Sequence, residues 1–180
     1  MKVVLAAVVL STTACGSDGE PPRVDGPLET STDRNEVCML QTDDGLLTFG
    51  VEATQNKSKE SLTIDSISLT DAQGMSVVGT KMLFVPSSGD TTLVGARNGW
   101  PPRLRPDEAT SAQALQAAPS AKGASVPGGS SDTVSFVVGV KTRPDSHAGP
   151  LRVTYTDQDG TEFVWNGTTS YRTSSTSCDG

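Results

Sequence analysis

The stretch LLTFGVEAT, residues 46–54, sets Leu47, Phe49, Val51 and Ala53 against Thr48, Gly50, Glu52 and Thr54. Successive side chains of an extended chain point to opposite faces, so this period of two predicts a strand with one face in a core. A polar turn, QNKSKE, follows at 55–60. In SLTIDSISLT, 61–70, Leu62 and Ile64 share a face, but Ile67 and Leu69 fall out of phase with them. One extra residue near Asp65 and Ser66 restores the register, which predicts a β-bulge there.

Working outward, the same period recurs. After a turn at 71–74, MSVVGTKMLFV (75–85) supplies one or two short strands, and Val134, Phe136, Val138 and Val140 mark another. Leu151, Val153 and Tyr155 pair as a hairpin with Phe163 and Trp165 through TDQDGTE, and a last strand is expected over 168–172. About six to eight short strands without long helical periods predict an all-β fold, an antiparallel sandwich. The domain is expected over 37–180, with an Ala/Gly/Ser-rich long loop at 106–132. That loop holds one helical candidate, 108–118, with Asp107 as N-cap and Pro119 as its stop. An Ala-rich helix this short needs packing support.

VEATQNKSKESLTIDSISL (51–69), GARNGWPP (95–102) and VTYTDQDGTEFVW (153–165) together resemble the immunoglobulin-like sandwiches, of unassigned activity, carried by many actinobacterial lipoproteins. The resemblance implies a fold and a compartment, not an activity.

The N-terminus agrees with that compartment. MKVVLAAVVLSTTAC, 1–15, has a single basic residue, Lys2, an apolar run from Val3 to Leu10, and small residues before Cys15. The run is too short for the ~30 Å of hydrocarbon in a bilayer and fits an export signal. It resembles the lipobox of bacterial lipoproteins, with Thr12 where that motif usually has Leu. The resemblance implies a signal peptide over 1–14 and a mature N-terminal Cys15 bearing a diacylglyceryl thioether and further acyl chains such as palmitate. Such an anchor holds a protein at the extracytoplasmic face of the cell membrane. Residues 15–36 are expected to be a disordered tether, with only Val24 and Leu28 large and apolar after Cys15. As a flexible coil they would reach on the order of 25 Å.

With Cys15 acylated, Cys38 and Cys178 remain as an even pair in an oxidising compartment, and a disulfide between them is expected. The net charge of −7 becomes −8 once Lys2 is removed with the signal. An acidic protein does not suit non-specific binding to nucleic acid, whose phosphates want a basic face, so nucleic acid is not an expected partner.

Catalytic constellations are sparse. The only histidine, His147, falls in RPDSHAGP, read as a turn between strands, and there is no G-x-S-x-G. No catalytic residue, metal site or cofactor is assigned. One histidine cannot complete a zinc site, and Met39, Met75 and Met82 are too scattered for copper. The acidic run 157–162 reads as a hairpin turn at Asp159-Gly160 before it reads as a calcium loop. Asn56-Lys-Ser and Asn166-Gly-Thr match glycosylation acceptors but read as turn asparagines.

RNGWPPRLR, 97–105, stands out by gathering Arg97, Trp100, Arg103 and Arg105 in an acidic protein. As a binding loop it would offer guanidinium forks and an aromatic anchor to an anionic wall polymer, a lipid head group or an envelope protein. Alternatively, Trp100 plugs one end of the sandwich while the arginines pair with Asp107 and Glu108. The expected function is that of a membrane-anchored, non-enzymatic binding module. The alternatives are a carboxylate-based extracytoplasmic hydrolase and a structural envelope protein.

Overall fold

The computed structural model describes residues 21–29, 32–87, 93–129 and 131–178. The expected signal peptide and Cys15 lie outside them. The described strands are β1 (Asn35–Leu40), β2 (Leu46–Thr54), β3 (Leu62–Leu69), β4 (Gln73–Val85), β5 (Gly95–Asn98), β6 (Ser125–Val126), β7 (Thr133–Ala148), β8 (Leu151–Thr156), β9 (Glu162–Asn166) and β10 (Thr169–Ser174). One helix, α1 (Ala109–Ala117), follows a 3₁₀ turn at Pro106–Glu108.

The described residues are mostly β-strand, in two sheets. One runs β1-β10-β7-β2-β5 with β4 also paired to β7; the other runs β6-β3-β8-β9. Phe49, Phe136 and Val138 from the first share a core with Ile64, Val153, Tyr155 and Trp165 from the second. The Phe136 and Trp165 rings meet at 5.7 Å between centroids.

The expected bulge is present, with the β3–β8 register shifting between Ile64 and Ser66. So is the hairpin, which pairs Val153 with Trp165 and Tyr155 with Phe163. The sheets are not all antiparallel, however, because β1 runs parallel to β10. These are the first and last strands, so the whole domain serves as their connection and no hairpin dictates their direction. The disulfide joins Cys38, in β1, to Cys178, just past β10, with the Cα atoms 5.7 Å apart.

Two expectations about burial are corrected. β2 is not a half-buried strand, because Thr48 and Gly50 are buried along with Leu47 and Phe49. The reason is a third layer. Leu115 of α1, with Val94, Trp100 and Leu104, packs on the outer face of the first sheet against Leu83 and Val137. A side chain at Gly50 would come within 2.8 Å of Val94. The central strand β7 accordingly buries every residue from Val134 to Val140, as expected when both faces of a strand are covered.

The tether is also shorter than expected, since 21–29 lies on the domain. Backbone N–H groups of Arg23 and Val164 exchange bonds across the β9 edge, to Glu162 O and Arg23 O respectively. Leu28 is 4% exposed. The carbonyl of Glu29 accepts from Trp165 Nε1 (3.0 Å) and Thr54 Oγ1 (2.7 Å).

Candidate functional site

A shallow cleft of about 480 Å³ opens beside the first sheet, between the β1–β2 turn and the segment following β5. Thr42, Asp43 and Asp44 form one wall, with Asn98, Trp100 and Arg103 opposite. The turn is tightly built. Gly45, at φ +60°, donates to Thr42 O. Asp44 accepts from the Thr42 hydroxyl at 2.9 Å and from Leu46 N at 3.0 Å. Those donors, the backbone N–H foremost, hold the Asp44 carboxyl below the usual carboxylate range. Lys141 donates to Asp44 O.

On the other wall, β5 pairs with Leu47–Gly50 of β2. Gly99, at φ +81°, donates to Leu46 O and accepts from the Thr48 hydroxyl at 2.6 Å. This pins the backbone just before Trp100. The indole rests on two strands at positions that lack a side chain, since a Cβ at Gly79 or Gly139 would overlap its ring. Gly79 meets Nε1, Cε2 and Cζ2 while Gly139 meets Cγ, Cδ2 and Cε3. Contact with both halves of the ring system means that the indole lies with its face on the sheet. Trp100 is therefore on the outer face of the first sheet, not at an end of the sandwich.

The arginines of the loop divide. Arg97 donates to Glu108 Oε1 at 2.6 Å, and Arg105 Nε to Glu108 Oε2 at 3.2 Å. Glu108 also accepts from Arg105 N at 2.9 Å. That backbone bond, then the Arg97 and Arg105 side chains, bring its pKa from 4.5 to about 2. Arg105 lies 3.6 Å from Asp107 as well. Arg103 is exposed and its guanidinium has no partner among the described residues. Asp43 is likewise exposed, with no partner among the described residues. The structure thus brings Trp100 and Arg103 to the cleft and turns Arg97 and Arg105 to holding the 3₁₀ turn that leads into α1.

Reading the sequence did not place Asp43 in one cleft with Arg103, because that depends on β2–β5 pairing. It also missed a second cleft, of about 470 Å³, on the other side of the same turn. Asp43 and Asp44 border both clefts, and the second adds Lys141 and Arg143. Arg143 is exposed, and its side chain has no partner among the described residues.

The remaining candidates have structural positions. His147 is not in a turn: it lies in β7, exposed, in register with Arg172 and Gln73. Residues 144–148 extend the strand, and the chain turns only at Gly149-Pro150. Asp157 accepts from Asp159 N and Thr161 N, which uses its carboxylate on the hairpin turn itself. Asn56 is buried, donating to Glu60 O and Val126 O and accepting from Ser58 N. Glu52, buried at the β2 irregularity, accepts from Thr168 N and Thr169 N. Burial, with the Glu52 charge second, raises the Tyr171 hydroxyl well above its ordinary pKa.

Comparison with protein-family models, with curated proteins and with solved structures found no match to this chain.

Proposed function

We propose that this chain is an extracytoplasmic lipoprotein, anchored at the membrane through acylated Cys15, whose immunoglobulin-like β-sandwich is a non-enzymatic interaction module. The observation that carries the compartment is the Cys38–Cys178 disulfide, which suits an oxidising environment. It stands beside an export-type N-terminus ending in a third cysteine. Among the described residues no helix is long and apolar enough to cross a membrane. Attachment in this proposal falls to the lipid.

The cleft favours binding over hydrolysis. Carboxylate hydrolases flank the scissile bond with two acids, one of them kept protonated by a raised pKa. Here Asp43 and Asp44 come from one turn on one side, and Asp44 is shifted the opposite way. A free guanidinium, a free carboxylate and a fixed aromatic ring instead form the sort of polar and apolar mixture that orients a ligand. The partner we propose is an anionic polymer of the envelope.

Replacing Cys15 with Ser tests the anchor. The variant is expected in the soluble fraction, while the unaltered protein sediments with membranes and leaves them only with detergent. Membrane retention of Cys15→Ser would refute the anchor.

A further inference from the structure

We propose that the paired clefts bind an acidic glycan. One sugar ring lies on Trp100 with its carboxylate on Arg103 and hydroxyls on Asp43, and the chain crosses the Thr42–Asp44 turn toward Arg143. The proposal rests on the cleft being the interaction surface and names the ligand that surface takes.

Three features select this chemistry. The first is the platform. Gly79 in β4 and Gly139 in β7 leave room for the indole to lie on the sheet, so the ring is fixed before any ligand arrives. Trp100 lines the cleft, and its Nε1 donates to no described residue. A fixed aromatic face suits the C–H face of a pyranose, an apolar surface with a polar rim.

The second is the pair of free charges. Arg97 and Arg105 are taken up by Glu108, whereas Arg103 and Asp43 line one cleft without pairing to each other or to anything else described. Guanidinium matches a carboxylate with two parallel hydrogen bonds, and a carboxylate accepts from sugar hydroxyls. A neutral sugar would leave Arg103 unused. A phosphate chain without rings would leave Trp100 unused.

The third is continuity. The clefts, of about 480 and 470 Å³, share Thr42, Asp43 and Asp44, and each carries an unpaired arginine, Arg103 in one and Arg143 in the other. A repeating anion can therefore meet both arginines, and joining two modest sites raises affinity without any new kind of contact.

Trp100 supplies the readout, because Trp165 is 3% exposed and bonded to Glu29 O, out of reach of ligand. The full-length protein in detergent is titrated with galacturonic acid, its trimer, galactose, tripolyphosphate and pentaglutamate. The proposal expects saturable Trp fluorescence changes with both acidic sugars, the trimer binding at least about tenfold tighter than the monomer. Arg103→Gln should weaken the trimer by about tenfold or more. Arg143→Gln should abolish the gain with length and leave the monomer unchanged. Unaltered circular dichroism and Tm in both variants tie the losses to binding.

Galactose or tripolyphosphate binding as well as the trimer would overturn the proposal, as would no response to any probe. Pentaglutamate binding alone, lost in Arg103→Gln, would overturn the glycan while leaving the cleft as an interaction surface.

Discussion

Glu108 shows how one side chain decides what a basic loop can do. It gathers Arg97, Arg105 and a backbone N–H, and so withdraws two of the three arginines from ligand. Its pKa of about 2 lies below the ordinary 4.5, so the folded protein binds this proton less readily than the unfolded chain. The stabilisation is complete above pH 4.5 and disappears as pH falls toward 2. Glu108→Gln should accordingly lower Tm near neutrality, and the gap from the unaltered protein should close across that acid window. A gap independent of pH would show that the ion pairs do not hold the loop. From RNGWPPRLR and the acids after it, the pairing of arginines with 107–108 was readable. Which arginine stays free was not, because that depends on how the 3₁₀ turn folds back toward β5.

At the scale of elements, the two irregular strands differ in legibility for a physical reason. In β3 the apolar residues themselves change phase at Asp65-Ser66, so the bulge is written in the pattern. In β2 the register shifts between Phe49 and Glu52, yet Val51 and Ala53 continue the apolar alternation as if nothing happened. Glu52 turns inward because its acceptors' partners, Thr168 N and Thr169 N, arrive from far along the chain. The helix is similar. Its start is close to the expected position and Pro119 follows its end, but Asp107 falls in the 3₁₀ turn and no side chain caps the N-terminus of α1.

What holds α1 is Leu115 in the outer cluster and Lys81 of β4. The ammonium donates to the terminal carbonyls of Leu115, Gln116 and Ala118 at 2.8, 3.2 and 3.0 Å. A cation there satisfies orphan acceptors and opposes the helix dipole. Lys81→Met should reduce unfolding free energy by about 1–2 kcal/mol. Amide exchange over Ala109–Ala117 should accelerate more than exchange in β7. Equal acceleration in both segments would contradict the capping role.

Over the whole molecule, the domain closes on itself at both ends. The disulfide and the β1–β10 pair join the first strand to the last, and 21–29 covers the β9 edge that would otherwise be open to another chain. The sequence showed the cysteine pair but not the docked segment, because Leu28 is one apolar residue in a polar run and its pocket is built by distant residues. Leu28→Ala should cost about 2–4 kcal/mol and expose 21–29 to protease. Resistance equal to that of the unaltered chain would show that the segment holds without it.

Docking that begins at Arg23 leaves seven residues after Cys15, which can span at most about 25 Å. In the proposed anchor the sandwich is therefore held close to the bilayer. Mass spectrometry of the N-terminal peptide from membrane-extracted protein tests that anchor most directly. The expected peptide begins at Cys15 and carries the mass of a diacylglyceryl thioether; a chain that keeps Met1 and an unmodified Cys15 thiol would contradict it.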